Sequence, residues 1–223
     1  MDALLILIVS FAPGLLWLLY FYRRDIYEPE PAHLVARSFV FGVLAVIPVG
    51  LIEAPFQLLI ERPSGVLEFL AVSIVVIGLV EESAKFLAAK LAVFNKAEID
   101  EVVDGIIYGV SAGLGFSAAE NYLYVAAFGF RVGLVRAVIT CLAHASFSGI
   151  VGYSYGKAVI ERKRGHWTVA KGLASAAVLH GLYDFFIISG LVSATLVLVM
   201  IAGLYLVLVR RIGHALTISK FRR

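Results

Sequence analysis

The chain has 223 residues, of which 61% are hydrophobic and 16% charged, with a formal net charge of +3. That composition excludes an ordinary soluble domain and predicts an all-α polytopic membrane helix bundle, a single domain over 1–223 with about seven spans. The one cysteine, Cys141, excludes an internal disulfide and a cysteine-rich metal site, and no nucleic-acid partner is expected.

In chain order the apolar runs fall at 3–22, 34–60, 66–93, 103–128, 132–157, 167–189 and 191–209. The first ends in Tyr20-Phe21-Tyr22-Arg23-Arg24 rather than in a small-residue cleavage site, so it reads as a retained span. The second carries Pro48 and is expected to break near Glu53-Ala54-Pro55-Phe56-Gln57. The third carries Glu81, Glu82 and Lys85, and the fourth carries Glu120 and Asn121 behind Asp104, an expected N-cap. The fifth carries His144, and the sixth carries His180 and Asp184. Ser111, Ser117, Ser146 and Ser148 read as helix-packing residues. Sixteen of the 19 Lys and Arg residues fall on one side of these spans; Arg62, Arg131 and Arg136 fall on the other. The positive-inside rule then places the N-terminus outside and the C-terminus in the cytoplasm. Arg162-Lys163-Arg164 reads as a topology signal with lipid-headgroup contact as a secondary role.

The buried polar groups need an explanation. A carboxylate at mid-bilayer costs about 2.5–3.5 kcal/mol even on a lenient insertion scale. Glu81, Glu82, Glu120 and Asp184 together therefore cost roughly 10 kcal/mol before pairing. At 1.5 Å per residue, Glu120 and His180 lie roughly 15 Å from the outer turns, with His144 and Glu81 somewhat deeper. Four helices can thus aim acidic and imidazole groups at one cavity. Gly105, Gly109, Gly113 and Ser117 recur every four residues on the fourth span, and His144, Ser148, Gly152 and Gly156 do so on the fifth. Small residues at this spacing let backbones approach closely, and antiparallel packing along the two stripes brings Glu120 near His144. Lys85 is four residues from Glu81 and shares its helix face. Glu82 points about 100° away from Glu81 on a 3.6-residue helix, so one cation is not expected to satisfy both, which makes Glu82 the freer base. Asp184, one turn after His180, is placed to orient its imidazole.

These residues also form motifs. Glu81-Glu82-Ser83-Ala84-Lys85 is an E-E-x-x-K sequence, and Phe116-Ser117-Ala118-Ala119-Glu120 is an F-x-x-x-E sequence followed by Asn121. His144 and His180-Gly181-Leu182-Tyr183-Asp184 complete the set. The chain resembles the PrsW-type intramembrane proteases, relatives of the type II CAAX-prenyl endopeptidases and bacteriocin-immunity proteins. The resemblance implies a multi-pass protease of the bacterial cell (inner) membrane. It implies the first cut in a single-pass partner in the lipid bilayer, a membrane-bound anti-sigma factor, leading to sigma-factor release under envelope stress. It puts the catalytic residues at Glu81, Glu82, Glu120, His144 and His180, with Lys85, Asn121 and Asp184 in support.

Two hydrolytic schemes fit this inventory. In one, His144, His180 and Glu120 bind Zn²⁺ with a position left for water, and Glu81 or Glu82 is the general base. In the other, a glutamate of the pair activates water directly, and His144, His180 or Asn121 holds the oxyanion. The ligand count suits zinc, but no H-E-x-x-H spacing imposes it. Rival readings are a prenyl-protein endopeptidase, a proton- or cation-coupled transporter, and a non-enzymatic immunity or scaffold protein. The transporter predicts an inverted repeat, which the sequence does not show.

Overall fold

The computed structural model describes residues 3–93, 98–161 and 165–222, with the backbone alone over 131–135. The basic run Arg162-Lys163-Arg164 lies outside the described residues. The described residues form an all-helical bundle. Helix α1 (Ala3–Tyr22) contains Pro13, and α2 (Ala32–Glu53) contains Pro48. Pro55 then tightens the chain into a 3₁₀ turn, Ala54–Phe56, before the short α3 (Gln57–Glu61). A proline has no N–H to continue the ladder, which accounts for the break expected there.

The third span has three parts. Helix α4 (Val66–Val72) passes into a π turn, Ser73–Gly78, and then into α5 (Leu79–Ala92), which carries Glu81, Glu82 and Lys85. The π turn was not legible in the apolar pattern; π segments recur next to functional sites because the extra residue turns the next stretch of helix about its axis. Helices α6 (Val102–Phe128), α7 (Phe130–Glu161), α8 (Gly165–Ser189) and α9 (Ala194–Thr217) complete the bundle. Among the described residues, six helical segments are long and apolar enough to cross a bilayer. The charged α4–α5 segment makes the seventh long rod.

At the start of α6 the N-cap is Glu101, not Asp104. Asp104 is the third helical residue, and its Oδ2 accepts the backbone N–H groups of Asp100 (2.8 Å) and Glu101 (2.6 Å). The two acids form a reciprocal capping box, which satisfies orphan donors at the helix start. The helix ends at Gly129, whose φ of +86° is open to a residue without Cβ.

Helix α6 is the axis of the fold: 94% of its apolar core is buried against protein, against 22% for α1 and for α9. Its closest neighbour is α7, along the two small-residue stripes. A Cβ built on Gly109 would lie 2.6 Å from the Ser148 carbonyl oxygen, and one on Gly152 would overlap the Gly105 carbonyl. Close backbone approach of this kind replaces hydrophobic driving force inside a bilayer, where lipid tails are as apolar as leucine. On α8, Gly181 plays the same part against the π turn, where a Cβ would lie 2.5 Å from the Ile74 Cα.

Gly109→Val is expected to force α6 and α7 apart and cost about 1–3 kcal/mol. Gly203→Ala, on α9 with nothing within 4 Å of the added carbon, is expected to stay within about 0.5 kcal/mol of the parent. Thermal unfolding of the two purified variants in detergent checks both; a Gly109→Val protein as stable as the parent would contradict the packing account.

Candidate active site

Four helices deliver the polar groups to one buried cluster. Helix α5 brings Glu81, Glu82 and Lys85, α6 brings Glu120, α7 brings His144, and α8 brings His180 and Asp184. Glu81, Glu82, Lys85, His144 and His180 are each 4% exposed or less.

Lys85 is the hub. Its Nζ lies 2.9 Å from Glu81 Oε2, 2.9 Å from Glu82 Oε1 and 2.8 Å from His144 Nδ1, and sits 4.3 Å from the centre of the Phe116 ring. One cation therefore does bridge both glutamates, contrary to the expectation from the helical wheel. The long lysine stem reaches back over one turn and meets i−3 and i−4 together, as side chains on a helix lean toward its N-terminus. The expected division of labour between the glutamates also reverses. Glu82 is the more occupied: Oε1 faces Lys85 and His180 Nδ1 (3.0 Å), while Oε2 accepts Ser148 Oγ (3.1 Å). Glu81 is the freer, with Lys85 at 2.9 Å and His180 Nε2 at 3.7 Å. Ser148, read from sequence as a packing residue, is thus a polar contact of the site.

The two imidazoles are held differently. His180 has carboxylates at both nitrogens, Glu82 at Nδ1 and Asp184 Oδ2 at 3.2 Å from Nε2. Phe147 stacks on it at 4.8 Å between centroids, with planes 17° apart. His144 lies with its ring centroid 5.0 Å from that of His180; its Nε2 is 3.2 Å from Glu120 Oε2. The stripe argument for a Glu120–His144 approach therefore matches the geometry. Arg136, counted from sequence only among the charges on the outer side, packs its guanidinium over Tyr124 and reaches Glu120 at 3.5 Å. Glu53, at the broken end of α2, lies close enough to Glu81 and Glu120 to feel both charges. Asn121 stands apart: it is fully buried and its amide nitrogen faces Cys141 Sγ at 3.5 Å.

Two features bear on a metal. Glu81, His144 and His180 each offer a ligand atom, and these atoms all lie within 4.8 Å of one another. The carboxylate in this set is Glu81, where the sequence reading put Glu120. One oxygen and two imidazole nitrogens with room for a fourth ligand is a donor set of the kind catalytic zinc uses. The charges agree: among the described residues, Glu81, Glu82, Glu120 and Asp184 face only Lys85 and Arg136 as permanent cations. The cluster is short of positive charge by the amount that a divalent cation, or protons on the imidazoles and carboxylates, supplies. The residues present therefore fit a metal, which would compete with the Lys85 ammonium for Glu81 and His144.

A groove of about 810 Å³ borders the cluster; it is lined by Tyr124, Arg136, Thr140, Tyr183, Asp184 and apolar residues of α7, α8 and the start of α9. A separate void of about 10 Å³, bounded by Glu82, Lys85, Tyr108 and Ser148, is about the size of one water.

Residues 30–209 match the family model described as PrsW family intramembrane metalloprotease. The chain is 38% identical over 182 residues to Protease PrsW of Bacillus subtilis (strain 168), covering 81% of each chain. It is 36% identical over 178 residues to Protease PrsW of Geobacillus kaustophilus (strain HTA426), covering 80% of this chain and 77% of the relative. Against Protease PrsW of Clostridioides difficile (strain 630) the identity is 32% over 194 residues, covering 83% and 79%. No solved structure matches the chain. A buried Glu/His/His cluster inside a bundle of bilayer-length helices, with this similarity over four-fifths of the chain, establishes a multi-pass bacterial membrane endopeptidase that belongs to the PrsW family of intramembrane metalloproteases.

Proposed function

We propose that this protein makes the first cut in a single-pass membrane protein of the anti-sigma-factor class, with Glu81, Glu82, Glu120, His144 and His180 as its catalytic set. The observation that carries the reading is the convergence of Glu81, His144 and His180 donor atoms within 4.8 Å, buried, beside a membrane-level groove. A helix hides its carbonyls in its own hydrogen bonds, so the scissile segment must be extended when it meets the site. The groove is large enough to take such a segment against the apolar start of α9, with Arg136 and Asp184 at its polar edge.

A zinc ion held by Glu81, His144 and His180 would polarise the scissile carbonyl and acidify a water. The chain's own residues set the rest. Glu82 takes the Nδ1 proton of His180 in a hydrogen bond, and so presents Nε2 toward Glu81. Ser148 and Lys85 hold Glu82 in turn. Glu120 is the carboxylate of the set with the most exposure, 17% for its side chain, and Arg136 keeps it beside His144. That makes it the group to accept a proton from the attacking water and return it to the leaving amine. A second reading rests on Lys85, whose ammonium already touches Glu81 and His144. In that reading Glu81 activates water without a metal, and the imidazoles hold the oxyanion. The sidedness of the sequence reading, with the N-terminus outside and the C-terminus in the cytoplasm, puts the groove on the extracytoplasmic side.

Four outcomes are expected. Glu81→Gln and His180→Ala each lower cleavage of a co-reconstituted single-pass substrate by about 100-fold or more; activity within about threefold of the parent in both variants would reject the site. Purified protein is expected to carry zinc, and chelation to abolish cleavage until zinc is restored; chelator-insensitive cleavage by metal-free protein would favour the second reading. Lys85→Met leaves two glutamates buried without their cation and is expected to cost about 3–5 kcal/mol. Most of that loss should return when Glu81→Gln and Glu82→Gln are added, as read by thermal unfolding. For sidedness, Tyr124→Cys should react with a membrane-impermeant maleimide from outside the cell, while the buried Cys141 stays silent; labelling only after lysis would reverse the orientation.

A further inference from the structure

A second acidic cluster lies at the far end of α6 from Glu120. The connection between α1 and α2 supplies Asp25 and Glu30, and the first turn of α6 supplies Asp104. All three are buried: Asp25 and Asp104 are each 2% exposed and Glu30 is 5% exposed. One carboxylate oxygen from each lies within 4.8 Å of the others. Both oxygens of Asp25 are buried with no hydrogen-bond partner, and so is Oε2 of the neighbouring Glu101. The Glu30 and Asp104 carboxyl groups lie within reach of a shared hydrogen bond, and the Glu28 backbone N–H approaches Asp25 without reaching hydrogen-bond geometry. The Tyr108 hydroxyl donates to Glu30 Oε2, and Asp104 Oδ2 takes the two backbone N–H groups of the capping box. Among the described residues no Lys or Arg forms an ion pair with Asp25, Glu30 or Asp104; Lys220 is paired with Asp100 instead, at 2.6 Å.

A buried carboxylate with neither a hydrogen bond nor a counter-charge is costly, and proteins avoid it or bind a cation there. We propose that Asp25, Glu30 and Asp104 form a binding site for a hard divalent cation of the Ca²⁺/Mg²⁺ class, separate from the Glu81–His144–His180 centre. The ligand chemistry sets the class: three carboxylates, no nitrogen and no sulfur suit a hard cation. The size allows it, since oxygens bound at about 2.0–2.6 Å from such an ion lie no more than about 5.2 Å from one another. A cleft of about 140 Å³, lined by Glu28, Glu30, Glu98 and Asp100, gives the ion an acidic way in. The bound ion would clamp the α1–α2 connection onto the first turn of α6, the helix around which the bundle is packed.

The test uses the purified full chain in detergent, freed of loosely held ions, titrated with CaCl₂ and separately with MgCl₂. Calorimetry should show saturable binding of at least one of the two, and the melting temperature should rise by roughly 5 °C at saturation. Asp25→Asn should weaken binding by about tenfold or more and abolish the shift. Glu30→Gln reads the same should Asp25→Asn fail to fold. A Glu81→Gln, His180→Ala double variant should keep both signals. The proposal is overturned by a parent protein that binds neither ion, by a shift that survives Asp25→Asn or Glu30→Gln, or by a shift lost only in the double variant.

Discussion

One ammonium group holds the protein's centre together. Lys85 sits within 3 Å of two glutamates and an imidazole, all of them buried. In such surroundings an uncompensated carboxylate is among the most expensive features a chain can carry, and pairing is the condition for keeping it. The pairing is incomplete by design of the residues: four carboxylates gather around two permanent cations and two imidazoles. That residual demand for positive charge links structure to chemistry. A cluster satisfied by its own side chains would be a structural knot, whereas one short of charge can hold a metal ion or move protons.

The rest of the bundle serves to bring these groups together. Helices α6 and α7 can approach only because glycine and serine line both faces, and that approach sets His144 beside Glu120. Helix α8 seats on the π turn through Gly181, the residue after His180, and so carries the imidazole to Glu82. Positioning by packed helices rather than loops suits a reaction that needs its groups held to fractions of an ångström. The groove toward α9 is lined from α6, α7, α8 and α9 and borders the cluster at Arg136 and Asp184.

Much of this was legible in the sequence. The hydropathy runs placed most of the long helices to within about four residues, although α9 (Ala194–Thr217) outran its 191–209 run, because in a bilayer each backbone must satisfy its own hydrogen bonds and a span has to be a helix of fixed length. The intramembrane charges marked the site for the same energetic reason, and the four-residue spacing of small residues foretold the α6–α7 contact. What the sequence left open was decided by side-chain reach and local backbone irregularity. Lys85 bridges both glutamates because its flexible stem spans positions three and four residues back. Ser148 and Arg136 join the site although linear spacing reads them as a packing residue and as a topology charge.

The sequence by itself therefore determined the class of molecule: a helical membrane bundle whose buried acids and histidines converge from several spans. Only the tertiary structure decided which carboxylate stands with the two imidazoles, Glu81 rather than Glu120, and which of the adjacent glutamates is already occupied. Hydropathy and spacing act along one helix and are read from order alone. The rotation of α5 behind its π turn, and the seating of α8 against it, depend on contacts between segments about a hundred residues apart, which order alone does not encode.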